Sequence, residues 1–207
     1  MVEVSRADLV CVAVKPVDMA GALETIRPGL TPRSVVLSVA AGWDLDMLGA
    51  ALPGVGLVRT MPNLAVRHGA GLVAVARRGV DDATGATLDE LLAPLGTVVD
   101  LPEKLFPAAT ALAGSGPGFV ALVAEALEEG GVAAGLPRAQ ARAMAGGVIA
   151  GAAALLADGA DPAELRRRVS SPAGTTMAGL AVLERGAVRA HIADAVVAAA
   201  DRARGLA

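Results

Sequence analysis

Apolar residues follow two rhythms along this chain. Up to about residue 102 they gather into short unbroken runs separated by stretches of helical spacing; from residue 103 onward only the helical spacing remains. Residues 8–14, apolar after Asp8, and residues 34–39, apolar but for Ser34 and Ser38, have strand length and the pattern of strands covered on both faces of a parallel sheet. Lys15-Pro16 closes the first run and Ala40-Ala41-Gly42 the second. Further strands are predicted over 55–60, 71–76 and 96–101, with helices over 17–26, 45–52 and 82–95. Strands alternating with helices in this way predict an α/β fold with a doubly wound sheet.

The second half reads as helices alone: 104–112, 117–134, 138–158, 162–169, 174–184 and 187–205. Gly130-Gly131, Gly135-Leu136-Pro137, Gly159 and Gly186 punctuate them. Helix 138–158 is rich in Ala and Gly and nearly apolar all round, so it requires cover on more sides than one small helical domain supplies. The expectation is a homodimer or larger homo-oligomer.

Two apolar stretches bear on a membrane reading. Residues 105–124 carry no charge and have the length of a bilayer span, but Gly114-Ser115-Gly116-Pro117-Gly118 is expected to break that helix. Residues 143–157, between Arg142 and Asp158, are too short, and Gly147 and Gly151 there suit a close helix–helix contact. The opening Met1-Val2-Glu3-Val4-Ser5-Arg6 lacks a signal-peptide layout. A soluble, cytoplasmic protein that engages no membrane is expected.

Composition narrows the chemistry. Hydrophobic residues are 54% and charged ones 19%, which suits a packed chain. Trp43, Phe106 and Phe119 are the only aromatics, so Ala, Val, Leu and Gly must fill the interior. A net charge of −3 and so few rings argue against a nucleic-acid partner. Cys11 stands alone in an apolar run, which excludes a disulfide framework within the chain and a thiolate zinc site, and it is expected to be buried. His68 in a loop and His191 on a helix surface have no second ligand at metal spacing, so no metal is expected. Arg166-Arg167-Arg168 reads as a solvated helix face with Glu164 nearby.

Candidate chemistry concentrates in Ser170-Ser171-Pro172-Ala173-Gly174-Thr175-Thr176, just ahead of a helix. A helix start offers unpaired N–H groups and the positive end of its dipole to a small anion. An ordinary capped helix start fits the same residues.

Several marks fall in one order: Ala13-Val14-Lys15-Pro16, Ala40-Ala41-Gly42, Arg59-Thr60-Met61-Pro62-Asn63, Ala113-Gly114-Ser115-Gly116-Pro117, Gly135-Leu136-Pro137 and Ser171-Pro172-Ala173-Gly174-Thr175-Thr176. Each alone is weak. In this order, across an α/β half and a helical half, the chain resembles the pyrroline-5-carboxylate reductase family from Ala7 to the C-terminus. The resemblance implies an incomplete doubly wound Rossmann-like sheet over 1–102, then an all-helical dimerisation and substrate domain over 103–207. It implies NADPH- or NADH-dependent reduction of L-1-pyrroline-5-carboxylate to L-proline, the last step of proline biosynthesis.

It also implies site residues. Ser171, Gly174, Thr175 and Thr176, with Ser115, would bind substrate, and the Thr176 hydroxyl would work near the ring nitrogen as the catalytic group. Ala13, Val14, Lys15, Pro16, Ala40, Ala41, Gly42 and Asn63 would border the cofactor, although Lys15-Pro16 also reads as a plain strand terminator. The cofactor supplies the hydride, so no His or carboxylate is required as a base.

The chain departs from the family's pattern in places. No strand with a G-x-G-x-x-G/A turn precedes the strand ending at Val14, so one sheet edge is expected to be bare; either the natural protein starts further upstream, or this is an N-terminally truncated member that binds cofactor poorly or not at all. Leu64-Ala65 stands where Thr-Pro is usual, Ala113 where Ser is common and Gly118 where Ala is common. Ala173 stands in place of a common Gly and is expected to narrow the substrate turn. Two further readings stay open: a non-catalytic dimerising remnant, and a related imine or keto-acid reductase.

Overall fold

A computed structural model describes residues 4–205, which form two compact units. The first extends to Ser115 and takes up the chain again from Val196; the second is Gly116–Ala195.

The first unit is a five-stranded sheet in the order β1 (Leu9–Val12), β2 (Val35–Ser38), β3 (Gly56–Pro62), β4 (Gly71–Arg78) and β5 (Gly96–Asp100). Between them run α1 (Met19–Ile26), α2 (Leu45–Ala51) and α3 (Asp82–Leu92). These lie within a few residues of the positions that the apolar pattern predicts. Period-2 alternation sorts the core. Val36, Leu57, Ala74 and Ala76 join Met19, Leu23 and Leu48 on one face, while Val35, Leu37, Val58, Val73 and Val75 join Leu88 and Leu92 on the other. Helices therefore cover both faces. Each fully buried Leu or Val contributes on the order of 1.5–3 kcal/mol.

One direction differs from an all-parallel sheet. β1, β2 and β3 are parallel, but β4 runs antiparallel to β3 and parallel to β5. The link between β3 and β4 is only residues 63–70, with a single 3₁₀ turn at Leu64–His68, and a parallel return needs a dozen residues or more.

Cys11 is exposed, contrary to the burial expected of it. Among the described residues β1 is an edge strand pairing with β2 alone. Cys11 aligns with Leu37 on the α3 face, but Leu88 and Leu92 of α3 cluster with buried residues of β2, β3 and β4 and none of β1.

Residues 114–118 also depart from the expected break. The glycines and Pro117 do not break the helix; α4 (Phe106–Ala109) passes through a π-helical segment, Thr110–Ser115, directly into α5 (Gly116–Ala133). Pro117 has no N–H for the carbonyl four residues before it, that of Ala113. The Asn63 side chain supplies that donor, Nδ2 to the Ala113 oxygen at 3.1 Å. The sequence boundary at 102/103 and the compactness boundary at 115/116 differ because Phe106 and Ala109 pack into the sheet's core.

The second unit holds α5, α6 (Arg138–Ala157), α7 (Pro162–Arg168), α8 (Thr175–Arg185) and the first part of α9 (Val188–Arg204). Gly131 lets α5 approach α6 closely: a Cβ there would stand 3.1 Å from that of Ala141. Glu128 accepts from Arg138 at 3.0 Å and Arg142 at 2.9 Å, joining the same two helices. Apolar faces stay uncovered, with Leu122 65%, Met144 57% and Val148 61% exposed. By length and composition alone the stretches Glu103–Ala133 and Arg138–Ala157 are both apolar enough to cross a membrane.

Candidate active site

Because β1, β2 and β3 are parallel, the segments after them emerge at one end of the sheet. Ligands of open α/β sheets bind at the carboxyl ends of strands. Ala13, Val14 and Lys15 form an exposed loop after β1, with exposed Pro16 opening a 3₁₀ turn (Pro16–Asp18), and Ala40, Ala41 and Gly42 come after β2. Ala40 is buried, Ala41 is exposed, and Gly42 has φ +77°, a conformation that favours glycine. Asn63 follows β3 directly.

Hydrogen bonds tie these loops together. Trp43 Nε1 donates to the Pro16 carbonyl at 3.2 Å, joining the first loop to the second. Beneath them the buried Ser38 hydroxyl accepts from Ala40 N at 3.2 Å, and Thr60 Oγ1 donates to the Ser38 carbonyl at 3.1 Å.

At the start of α2, Asp44 caps the Met47 N–H at 2.7 Å, while Glu103 Oε1 accepts from the Leu45 N–H at 2.7 Å. The same oxygen pairs with Arg59 Nη1 at 2.9 Å. The Arg59 guanidinium lies 4.6 Å from the centre of the buried Phe106 ring. Ala41, Gly42, Asp44, Arg59, Lys104 and Thr110 line a cleft of about 270 Å³ here. Sequence reasoning did not assign roles to Trp43, Arg59, Glu103 or Phe106. A signal existed: Arg59 is the one charge in a strand whose other residues are mostly buried, and such a charge requires a partner.

Asn63 is engaged by the protein itself. Its Oδ1 accepts from Ala65 N at 3.1 Å and Leu72 N at 3.3 Å, while Nδ2 holds the Ala113 carbonyl. Beside it, Gly114 lets the helix approach Met61, whose Cε would lie 3.2 Å from a Cβ at that position. Met61 and Asn63 thus meet Ala113 and Gly114, and Ser115 sits half-buried where the π segment ends.

In the second unit, Ser171–Gly174 is a tight turn, Gly174 N donating to the Ser171 carbonyl at 3.0 Å. Pro172 stands second and Ala173 third with φ +56°, as a type II turn requires. The departure at Ala173 therefore shows itself as backbone strain. A Cβ on Gly174 would meet Ser171, coming within 3.0 Å of its carbonyl oxygen and closer still to its Oγ. Gly174 is the N-cap of α8 with no side-chain cap, so the first-turn N–H groups, those of Thr175, Thr176 and Met177, are ones a helix leaves unpaired. Thr176 is half-buried; Ser171 and Thr175 are exposed. The adjacent Arg167 pairs with Glu164 at 2.7 Å and Arg166 with Glu184 at 3.3 Å, leaving the arginine run a solvated face.

A Rossmann-like sheet with clustered loops at its strand ends, joined to an apolar helical unit, defines the architecture of a dinucleotide-dependent oxidoreductase. Residues 103–206 match the family described as pyrroline-5-carboxylate reductase dimerisation. The chain is 39% identical over 202 residues to the pyrroline-5-carboxylate reductase of Synechocystis sp., covering 97% of this chain and 75% of that one. With the Arabidopsis thaliana enzyme it shares 39% over 206 residues, 98% of this chain and 74% of the relative. Among solved structures, the Coxiella burnetii reductase superposes with TM-score 0.93 at 30% identity, covering 98% of this chain and 77% of that chain. The Plasmodium falciparum reductase with NADP bound gives TM-score 0.87 at 26% identity, covering 98% and 78%. The chain belongs to the pyrroline-5-carboxylate reductase family. The dimerisation match supports a homo-oligomer.

Proposed function

We infer that this chain reduces L-1-pyrroline-5-carboxylate to L-proline with NADPH or NADH as hydride donor, closing proline biosynthesis. The observation that carries the reading is the ordered set of motifs within a chain 39% identical to relatives of that activity. We propose a cytoplasmic homodimer or larger homo-oligomer, its subunit contacts made by the apolar faces of α5 and α6.

The residues suit the group they are assigned to hold. Ala13, Ala41 and Gly42 are small, and Ala41 is exposed, so a planar ring can approach the backbone at the strand ends. Lys15 and Pro16 border the same region, and Trp43 keeps the two loops in register. Bound nicotinamide supplies the hydride.

The protein's part is positioning. The N–H groups that open α8 receive the substrate carboxylate, favoured by the helix dipole. Gly174 leaves the turn room to present them, and the hydroxyls of Ser171 and Thr175 flank it. Thr176 Oγ1 accepts from the iminium N–H and orients the C=N bond for hydride at its carbon; the nitrogen lone pair formed is then the amine's. Ser115 is assigned to substrate, with Asn63 shaping its surroundings.

The test is NAD(P)H oxidation with pyrroline-5-carboxylate, beside Thr176→Ala. Turnover that falls ten- to hundredfold in the variant while NADPH affinity stays constant supports the reading. Absence of turnover in the parent chain under all cofactor conditions contradicts it.

A further inference from the structure

We propose that Glu103 is a positioning residue for the nicotinamide cofactor, acting with Arg59 through the start of α2. The inference rests on the reading that the loop Ala40–Ala41–Gly42 faces the nicotinamide. The loop runs straight into Trp43, Asp44 and Leu45, so whatever fixes Leu45 fixes the loop's downstream end. Glu103 does so from a distant part of the chain: its Oε1 takes the Leu45 N–H at 2.7 Å, a charge-assisted bond at the first turn of a helix. Residue 103 is held in turn by Arg59 at 2.9 Å. Arg59 is itself fixed by β3 and by Phe106, over whose ring it lies.

Both charges are shielded, with side chains 12% and 22% exposed for Arg59 and Glu103. A pair this sheltered, bonded to a backbone N–H, holds its geometry far better than a surface ion pair. Asp44 secures only Met47, further into the helix, so it does not substitute for Glu103 at Leu45. Upstream, Ala40 N on Ser38 Oγ anchors the loop's other end. The loop is therefore clamped at both ends. At the downstream end Glu103 fixes the Leu45 N–H, beside two other bonds from distant parts of the chain, Trp43 Nε1 to the Pro16 carbonyl at 3.2 Å and Arg78 Nη1 to the Leu45 carbonyl at 3.0 Å.

The experiment measures NADPH binding to the full chain by calorimetry, which separates affinity from active fraction. In Glu103→Ala the Kd for NADPH is expected to rise about tenfold with stoichiometry unchanged. KM for pyrroline-5-carboxylate should stay within about twofold, because the carboxylate turn is not involved. Glu103→Gln, which can still accept from Leu45 N, should recover most of the affinity. A merely structural role lowers stoichiometry and leaves Kd unmoved, and that result overturns the proposal. Should Glu103→Ala fail to fold, Arg59→Met and Glu103→Gln carry the test: a raised Kd in Arg59→Met supports the clamp, and parent-like Kd in both overturns it. Ala41→Leu separates the clamp from the loop assignment beneath it. If it weakens NADPH binding while the Glu103 and Arg59 variants do not, only the clamp fails. If it leaves binding unchanged, or if the parent chain binds no NADPH, the loop assignment fails and the clamp with it.

Discussion

Asn63 and Ala113, fifty positions apart, are joined by one hydrogen bond, Nδ2 to carbonyl oxygen at 3.1 Å. The bond closes the gap that Pro117 leaves in the helix and makes the turn after β3 the support of the π segment. Mid-helix π segments recur at functional sites because they shift the register of the helix beyond them. In this chain the residues so shifted are Ser115 and the start of α5.

Asn63→Asp isolates that donor. A carboxylate still accepts from Ala65 and Leu72 but cannot donate to Ala113, so the variant should lose about 1–3 kcal/mol in denaturant unfolding. Stability equal to the parent would show that the Ala113 contact contributes nothing.

Ala173 carries a strain that glycine relieves. An L-residue in the left-handed region costs roughly 1–2 kcal/mol, partly offset by the greater unfolded-state freedom of glycine. Ala173→Gly should therefore stabilise the chain by about 1 kcal/mol. Gly174→Ala should do the reverse and raise KM for the substrate, because its Cβ would drive Ser171 aside. Thermal melts and steady-state kinetics on the two variants check both signs.

Glu128 links stability to pH. Its hydrogen bond from Arg142 holds its carboxyl below the ordinary carboxylate value; desolvation opposes this, and the hydrogen bond from Arg138 adds to the lowering. A carboxylate depressed in the folded state contributes stability above its unfolded pKa of about 4.3, and loses it as pH falls through the folded value. Glu128→Gln should be less stable than the parent at neutral pH and converge with it in acid. Parallel stability curves for the two across that range would refute the linkage.

Val148 tests the cover on α6. It is 61% exposed on a helix with little charge, so Val148→Glu should weaken subunit association and shift the mass measured by light scattering downward. An unchanged mass would place the interface on another face.

Much of this was legible along the chain because it is local. Buried β2 shows as an apolar run, and Asp44, Asp81 and Asp161 mark helix starts by their caps. The direction of β4 was also implicit, in a connector too short for a parallel return. The features that escaped depend on contacts distant in sequence. Glycines and a proline at 114–118 read as a break, since nothing local announces that Asn63 replaces the missing donor. Cys11 reads as buried from its apolar run alone, although the bare edge expected at that strand already implied that its cover is incomplete. Arg59, Glu103 and Leu45 meet only through the fold, so their convergence leaves no spacing to detect.

The most direct measurement is a crystal structure of this chain grown with L-proline. The account predicts the carboxylate against the backbone N–H groups of Thr175, Thr176 and Met177, with the ring nitrogen beside Thr176 Oγ1. Proline bound elsewhere, with those N–H groups facing only solvent, would contradict it.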